Sequence, residues 1–214
     1  MHLISVNLGK ERDLNNGKRV ERTGIFKEAS SEPVSIGKLG LKGDAVVDVD
    51  NHGGEDQAVY VYGRPDYDWW EGQIGRELPG GMFGENLTIA GLESQTFSIG
   101  DRLRVGEVLL EVTSPRIPCS TLAAKMEDPQ FVKKFRHAER PGLYCRVIET
   151  GDVKAGDPVT VEPLNDALLT VVEEFRAWYE MDTLDTATLR RFLAAPIAIR
   201  ARQHYEKLLA ERVG

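Results

Sequence analysis

Cysteine is scarce in this sequence, with only Cys119 and Cys145 among 214 residues. There is no Cys-x-x-Cys pair and no His-Glu-x-x-His run, which excludes the usual structural zinc site and zincin chemistry. Two thiols are also too few to hold an iron–sulfur cluster. A chain of this length folds around its own core without cross-links, so both thiols are expected to be free. Walker A, Gly-x-Gly-x-x-Gly and Gly-x-Ser-x-Gly patterns are missing as well, leaving nucleotide-phosphate cradling and serine-hydrolase chemistry without a sequence basis. No apolar run reaches membrane-spanning length, and the opening MHLISVNLGKERD becomes charged too soon for a secretory signal. A cytoplasmic location without a membrane partner is the expectation. Positive charge is in deficit, 27 Lys and Arg against 34 Asp and Glu for a net charge of -7, so the overall field repels nucleic acid while leaving room for a local basic pocket.

What the sequence does contain is alternation. Residues 1 to about 163 read as short apolar runs of period two, broken by Gly, Asn, Asp and Pro, the pattern of a mainly β barrel or sandwich. The clearest unit is a hairpin in which Leu103 and Val105 alternate with arginines before Gly106-Glu107, and Val108, Leu110 and Val112 alternate on the return. Further strands are predicted at 2–7, 58–62, 86–89, 144–149 and 159–162, with helical insertions at 65–73 and after Cys119, where Asp128-Pro129 reads as a helix start. From residue 164 to 214 the period changes. Thr170 with Glu173 forms a capping box, Asp185 caps a second helix and Pro196 opens a third, giving a small three-helix unit. Its apolar positions, Trp178 among them, recur at helical spacing and are expected to pack on the β domain or on a partner.

Three places carry chemistry-bearing residues. Cys119 follows Ser114-Pro115-Arg116-Ile117-Pro118, directly after the hairpin strand; two prolines stiffen the approach, and a helix start with Arg116 nearby favours the thiolate, the form that binds soft metals or attacks electrophiles. The alternative is a small packed residue, which is the reading for Cys145 inside its alternating strand. The second place is the loop from Lys42, Gly43 and Asp44 to His52, Gly53, Gly54, Asp56 and Gln57, either a glycine-rich wall around a polyoxygenated ligand or a solvated turn. Asp48, Asp50 and Gly53 match three calcium-loop positions, but Val59 stands where the bidentate Glu belongs, so an EF-hand is excluded. The third is the turn Gly84-Glu85-Asn86, whose side chains suit a heteroaromatic ring or an ordinary hairpin tip.

Taken in order, Gly40-Leu41-Lys42-Gly43-Asp44, His52-Gly53-Gly54 leading into Ala58-Val59-Tyr60-Val61-Tyr62, Phe83-Gly84-Glu85-Asn86-Leu87 and Pro115-Arg116-Ile117-Pro118-Cys119 resemble the MOSC domain, the molybdenum cofactor sulfurase C-terminal domain. The tail resembles the 3-alpha domain that follows it in YiiM-type bacterial proteins. The resemblance implies a MOSC-type β-barrel over residues 1–163, a three-helix domain over 164–214, and a molybdenum cofactor in its molybdopterin form. It implies that Cys119 ligates molybdenum and, with Asp56 and His52, forms the catalytic set. Arg116 would neutralise cofactor charge. Lys42, Gly43, Asp44, His52, Gly53, Gly54, Gln57, Gly84, Glu85 and Asn86 would line the pterin and substrate pocket, with Arg140 and Gly142 adding an anion contact. The implied reaction is two-electron reduction of a small N-hydroxylated substrate, with electrons from a separate flavin or iron–sulfur reductase. The competing reading is a sulfur carrier or cofactor carrier without reductase activity.

Overall fold

The computed structural model describes residues 1–15, 20–47 and 53–213. Thirteen strands are found among them: β1 His2–Gly9, β2 Arg12–Asn15, β3 Val20–Thr23, β4 Lys27–Ala29, β5 Val34–Gly37, β6 Gly40–Leu41, β7 Val59–Gly63, β8 Leu87–Ala90, β9 Arg102–Val105, β10 Val108–Ser114, β11 Leu143–Glu149, β12 Gly151–Val153 and β13 Val159–Glu162. The α-helices are α1 Arg64–Ile74, α2 Ser120–Lys125, α3 Phe131–Ala138, α4 Val171–Tyr179, α5 Thr186–Ala194 and α6 Ile199–Val213. The fold is mainly β: eight strands form one sheet in the order β13-β9-β10-β11-β7-β8-β1-β4, while β12-β5-β6 and β2-β3 form smaller sheets. Pairing is antiparallel except between β7 and β8, which run parallel because α1 carries the chain back across the sheet.

The expected barrel is corrected to an open sheet. Its two edges approach where His2 bridges Pro158, with Val159 N donating to Met1 O at 3.0 Å and Leu3 N to Asp157 O at 2.9 Å. Pro158 has no N–H to extend that contact, and β4 already occupies the other end of β1, from Asn7 to Gly9. A bridge therefore stands where a ladder would close the barrel.

Period two sorts the side chains of the central strands into two cores. Val59 and Val61 of β7 and Leu143, Cys145 and Val147 of β11 enter an aliphatic cluster, whereas Tyr60, Tyr62 and Tyr144 point into an aromatic one with Tyr67, Trp70, Phe83, Phe131 and Phe135. Both faces are covered, so β7 and β10 are buried along their whole length. The helices after residue 164 do not stand apart from this arrangement. Leu169, Val171, Leu189, Phe192, Ile197 and Tyr205 belong to the same aliphatic cluster as the sheet, and Phe175 joins the aromatic one. Backbone bonds from Ile99 N to Leu169 O and from Val171 N to Phe97 O tie the entry of α4 to the sheet, and the Thr170–Glu173 capping box forms as expected. Trp178 is the exception to the packing expectation: it is 47% exposed. Among the described residues no helix is long and apolar enough to cross a membrane.

Candidate functional site

The last strand residue of β10 is Ser114, and the rigid segment Pro115–Pro118 leads from it to Cys119, which occupies the N-cap position of α2 in extended conformation. The Cys119 carbonyl, not its thiol, receives the first helical N–H, from Ala123 at 3.3 Å, and no side-chain cap is formed. Cys119, a partly exposed residue, lines the cavity beside it. That cavity has a volume of about 570 Å³ and is bounded by the β10–α2 segment, the β3–β4 region, the Asp44–Val47 stretch, Gln57 to Tyr60, and the faces of α4 and α6.

Arg116 forms its floor. The guanidinium is buried, lies 5.1 Å from the centre of the Tyr60 ring, meets Tyr144 Oη at 3.3 Å and hydrogen-bonds the Cys119 side chain. Burial opposes its charge, but Tyr144, Cys119 and Tyr60 outweigh that penalty and hold the guanidinium more firmly protonated than usual. Its Nε still has no hydrogen-bond partner. Lys27 also lines the cavity, and its Nζ pairs with Asp44 Oδ1 at 2.6 Å. Asp44 also accepts from Gly9 N at 2.7 Å and from Asn86 Nδ2 at 2.8 Å, and Asn86 Oδ1 accepts from Tyr60 N at 3.1 Å. Burial lowers the Lys27 pKa despite Asp44, and pulls that of Lys125, at the end of α2, down to about 8. The Lys125 ammonium donates only to the carbonyls of Ile25 and Gly81 and has no carboxylate within ion-pair distance among the described residues. Arg116 and Lys27 thus line the cavity, and Lys125 lies near enough that both of their charges help to lower its pKa.

The wall contributed by the C-terminal helices is different in kind. Glu174 and Trp178 lie one turn apart on α4, and Arg200 and Tyr205 reach the cavity from α6. Arg200 donates to Gln57 Oε1 and to Gly53 O, both at 3.2 Å. Glu174 is 4% exposed, its Oε2 has no hydrogen-bond partner, and burial pushes its carboxyl up to about 8. Between the ordinary carboxyl value of 4.5 and about 8 the folded chain keeps a proton that the unfolded chain has lost, so this group lowers stability progressively as pH rises through that window. Glu174→Gln is therefore expected to match the wild type near pH 4.5 and to exceed it at pH 8 by up to about 4 kcal/mol, at ~1.4 kcal/mol per pH unit. Urea unfolding at the two pH values checks this; a gain independent of pH would mean that the carboxyl is not buried in its neutral form.

Of the residues expected to act together, Cys119, Arg116, Asp44, Gln57, Gly84 and Asn86 converge on the cavity. Asp56 does not: its Oδ2 accepts from Ile199 N at 2.6 Å at the start of α6, and its Oδ1 lies 3.0 Å from an Arg146 nitrogen. Its carboxylate anchors the tail to the sheet. Glu85 is buried behind the wall, where Tyr67 Oη, Gly81 N and Thr88 Oγ1 donate to its Oε1 at 2.6–2.7 Å and fix the turn before β8. Arg140 is engaged by Asp66 at 2.7 Å and Glu93 at 3.1 Å, away from the cavity. Gly142 packs behind it, since a Cβ there would come within 2.6–2.8 Å of the Tyr60 and Tyr62 rings. Lys42, Gly43, Gly53 and Gly54 shape the neighbouring turns without lining the space. His52 lies outside the described residues. Lys27, Glu174, Trp178 and Arg200 were not singled out from the sequence as site residues; only their placement by strand pairing and helix docking reveals them.

The fold and cavity define a mixed-sheet protein whose cavity is lined by one thiol and a buried guanidinium. The MOSC domain pattern matches residues 48–160, and the chain belongs to the MOSC domain family. An uncharacterized protein of Bacillus subtilis, YflK, is 41% identical over 155 residues, 72% of this chain and 70% of that one. A protein of Gibberella moniliformis named reductase is 32% identical over 163 residues, 74% of this chain but 29% of that longer one. The solved structure of YiiM from Geobacillus stearothermophilus superposes with a TM-score of 0.79 at 28% identity, covering 97% of this chain and 98% of the other. The function is accordingly one related to the molybdenum cofactor.

Proposed function

We propose that the chain binds the molybdenum cofactor as molybdopterin and reduces small N-hydroxylated compounds, with a separate flavin or iron–sulfur reductase supplying electrons. The observation that carries the reading is the convergence of Cys119, Arg116, Lys27 and Gln57 on one cavity of about 570 Å³. A thiolate from Cys119 suits a soft metal already rich in sulfur ligands. Arg116, with an unpartnered Nε, and Lys27 suit the cofactor's anionic groups; a bound anion would relieve the charge crowding that burial creates around them. When bound, the molybdenum centre would supply the two-electron chemistry. The protein binds, orients and neutralises: Arg116 steadies the sulfur, Tyr60 and Tyr144 keep that floor dry, and the walls hold the substrate. The balanced conversion is R–NHOH plus two electrons and two protons to R–NH2 and water. A longer relative named reductase, in which the matching segment is under a third of the chain, supports a reductive role for this module.

The test is anaerobic purification from a host that makes the cofactor, with molybdenum and released pterin measured per chain, followed by reduction of N-hydroxybenzamidine with reduced methyl viologen. Near-stoichiometric loading with amine formation is expected. Background loading would sink the cofactor assignment, and loading without turnover would turn the protein into a carrier.

A further inference from the structure

The Glu174 and Trp178 side chains are not explained by packing. Trp178 leaves 47% of itself exposed at the cavity although its neighbours on α4, Phe175 and Ala177, are buried. Glu174 is enclosed, yet no hydrogen-bond partner meets its Oε2, and a buried polar oxygen without a partner costs ~1–3 kcal/mol. Both line the cavity from one face of one helix. Arg200, the cation that α6 contributes to this wall, donates to Gln57 and the Gly53 carbonyl. A buried neutral carboxyl is satisfied by a group that both donates and accepts, while an indole face favours something flat.

We propose that Glu174 and Trp178 are the substrate-binding wall: a planar N-hydroxylated amidine or amidine-like base lies on the Trp178 ring, and its adjacent donor and acceptor nitrogens exchange hydrogen bonds with the Glu174 carboxyl. This deepens the reading of the site as a reductase of N-hydroxylated compounds and rests on it. It also gives the C-terminal helices a role in specificity, separate from the Cys119 and Arg116 floor. In its neutral form, which burial favours, the carboxyl offers one O–H and one carbonyl, the complement of an amidine edge.

The test is calorimetric titration of the full-length purified protein with N-hydroxybenzamidine, needing no turnover. Glu174→Gln, which keeps a donor and an acceptor, is expected to bind within ~3-fold of wild type, and Glu174→Leu to bind ~10-fold more weakly. Trp178→Ala, at an exposed position where folding is not at risk, should weaken binding ~5-fold or more. In viologen-coupled turnover Glu174→Leu should raise KM by a similar factor with kcat within ~3-fold. Wild-type affinity in both Glu174→Leu and Trp178→Ala, or no saturable binding by the wild type, overturns the proposal. Molybdenum content separates the two readings: saturable binding that these variants weaken in a chain without molybdenum sinks the reductase reading alone, and a loaded, active chain with unaltered variants sinks the wall alone.

Discussion

Cys119→Ser is expected to reduce molybdenum in the purified chain to background and to lower reduction of N-hydroxylated substrates by at least ~100-fold. Serine keeps the size and the backbone role, because it is the carbonyl of residue 119 that opens α2 and the thiol caps nothing. Folding should therefore survive, and the loss will be chemical: a neutral, hard hydroxyl replaces a soft sulfur beside Arg116. Cys145→Ser is the control. That thiol is buried in the aliphatic core, where burial pushes its pKa far up and keeps it neutral, so the change should cost stability by ~1–3 kcal/mol and leave molybdenum content alone. Elemental analysis of the three proteins decides the matter. Equal molybdenum in wild type and Cys119→Ser would remove that sulfur from the metal.

The strand pattern and the Cys119 segment were legible because each rests on local rules. Alternation around Gly106-Glu107 gave the β9–β10 hairpin, the Thr170–Glu173 spacing gave the start of α4, and two prolines ahead of Cys119 gave a stiff arm at a strand end. What escaped was set by contacts between distant segments. Asp56 is polar, follows a glycine turn and looked like a site residue, but Ile199, 143 positions later, claims its carboxylate. Glu85 and Arg140 are similarly absorbed, by Tyr67 and Thr88 in one case and Asp66 and Glu93 in the other. Conversely, Trp178 sits at core spacing on its helix and only the docking of α4 against the sheet opens its ring to the cavity. Short strands such as β2–β6 and β12 were missed because two to four residues are too few to establish a period, and pairing selects them, as Gly151–Val153 is selected by Val34–Ile36.

Asp44→Ala and Lys27→Met should separate stability from binding, because the two halves of this buried pair are not equally connected. Their side chains are 5% and 7% exposed, and Asp44 satisfies three donors at once: Lys27 Nζ, Gly9 N and Asn86 Nδ2. Removing it strands Gly9 N, leaves Asn86 Nδ2 only its 3.5 Å contact with Asn7 O, and leaves a buried ammonium without its ion-pair partner, for an expected loss of ~3–5 kcal/mol. In a domain of this size that lowers Tm by roughly 6–20 °C. Lys27→Met leaves Asp44 with two of its hydrogen bonds and fills the space with an apolar chain, so a smaller loss of ~1–3 kcal/mol is expected. Linkage adds a signature. Burial already lowers the Lys27 pKa, and deleting Asp44 lowers it further, so the cost of keeping it charged is relieved as pH rises toward the unfolded lysine value of 10.5. The stability deficit of Asp44→Ala should shrink between pH 7 and 9.5 in urea titrations. Cofactor retention should rank differently: Lys27→Met deletes a wall cation and lowers pterin content despite its milder effect on folding, whereas Asp44→Ala, assayed well below its Tm, still presents the ammonium. If pterin content simply follows stability in both variants, Lys27 serves the fold alone and the anion contact belongs to Arg116.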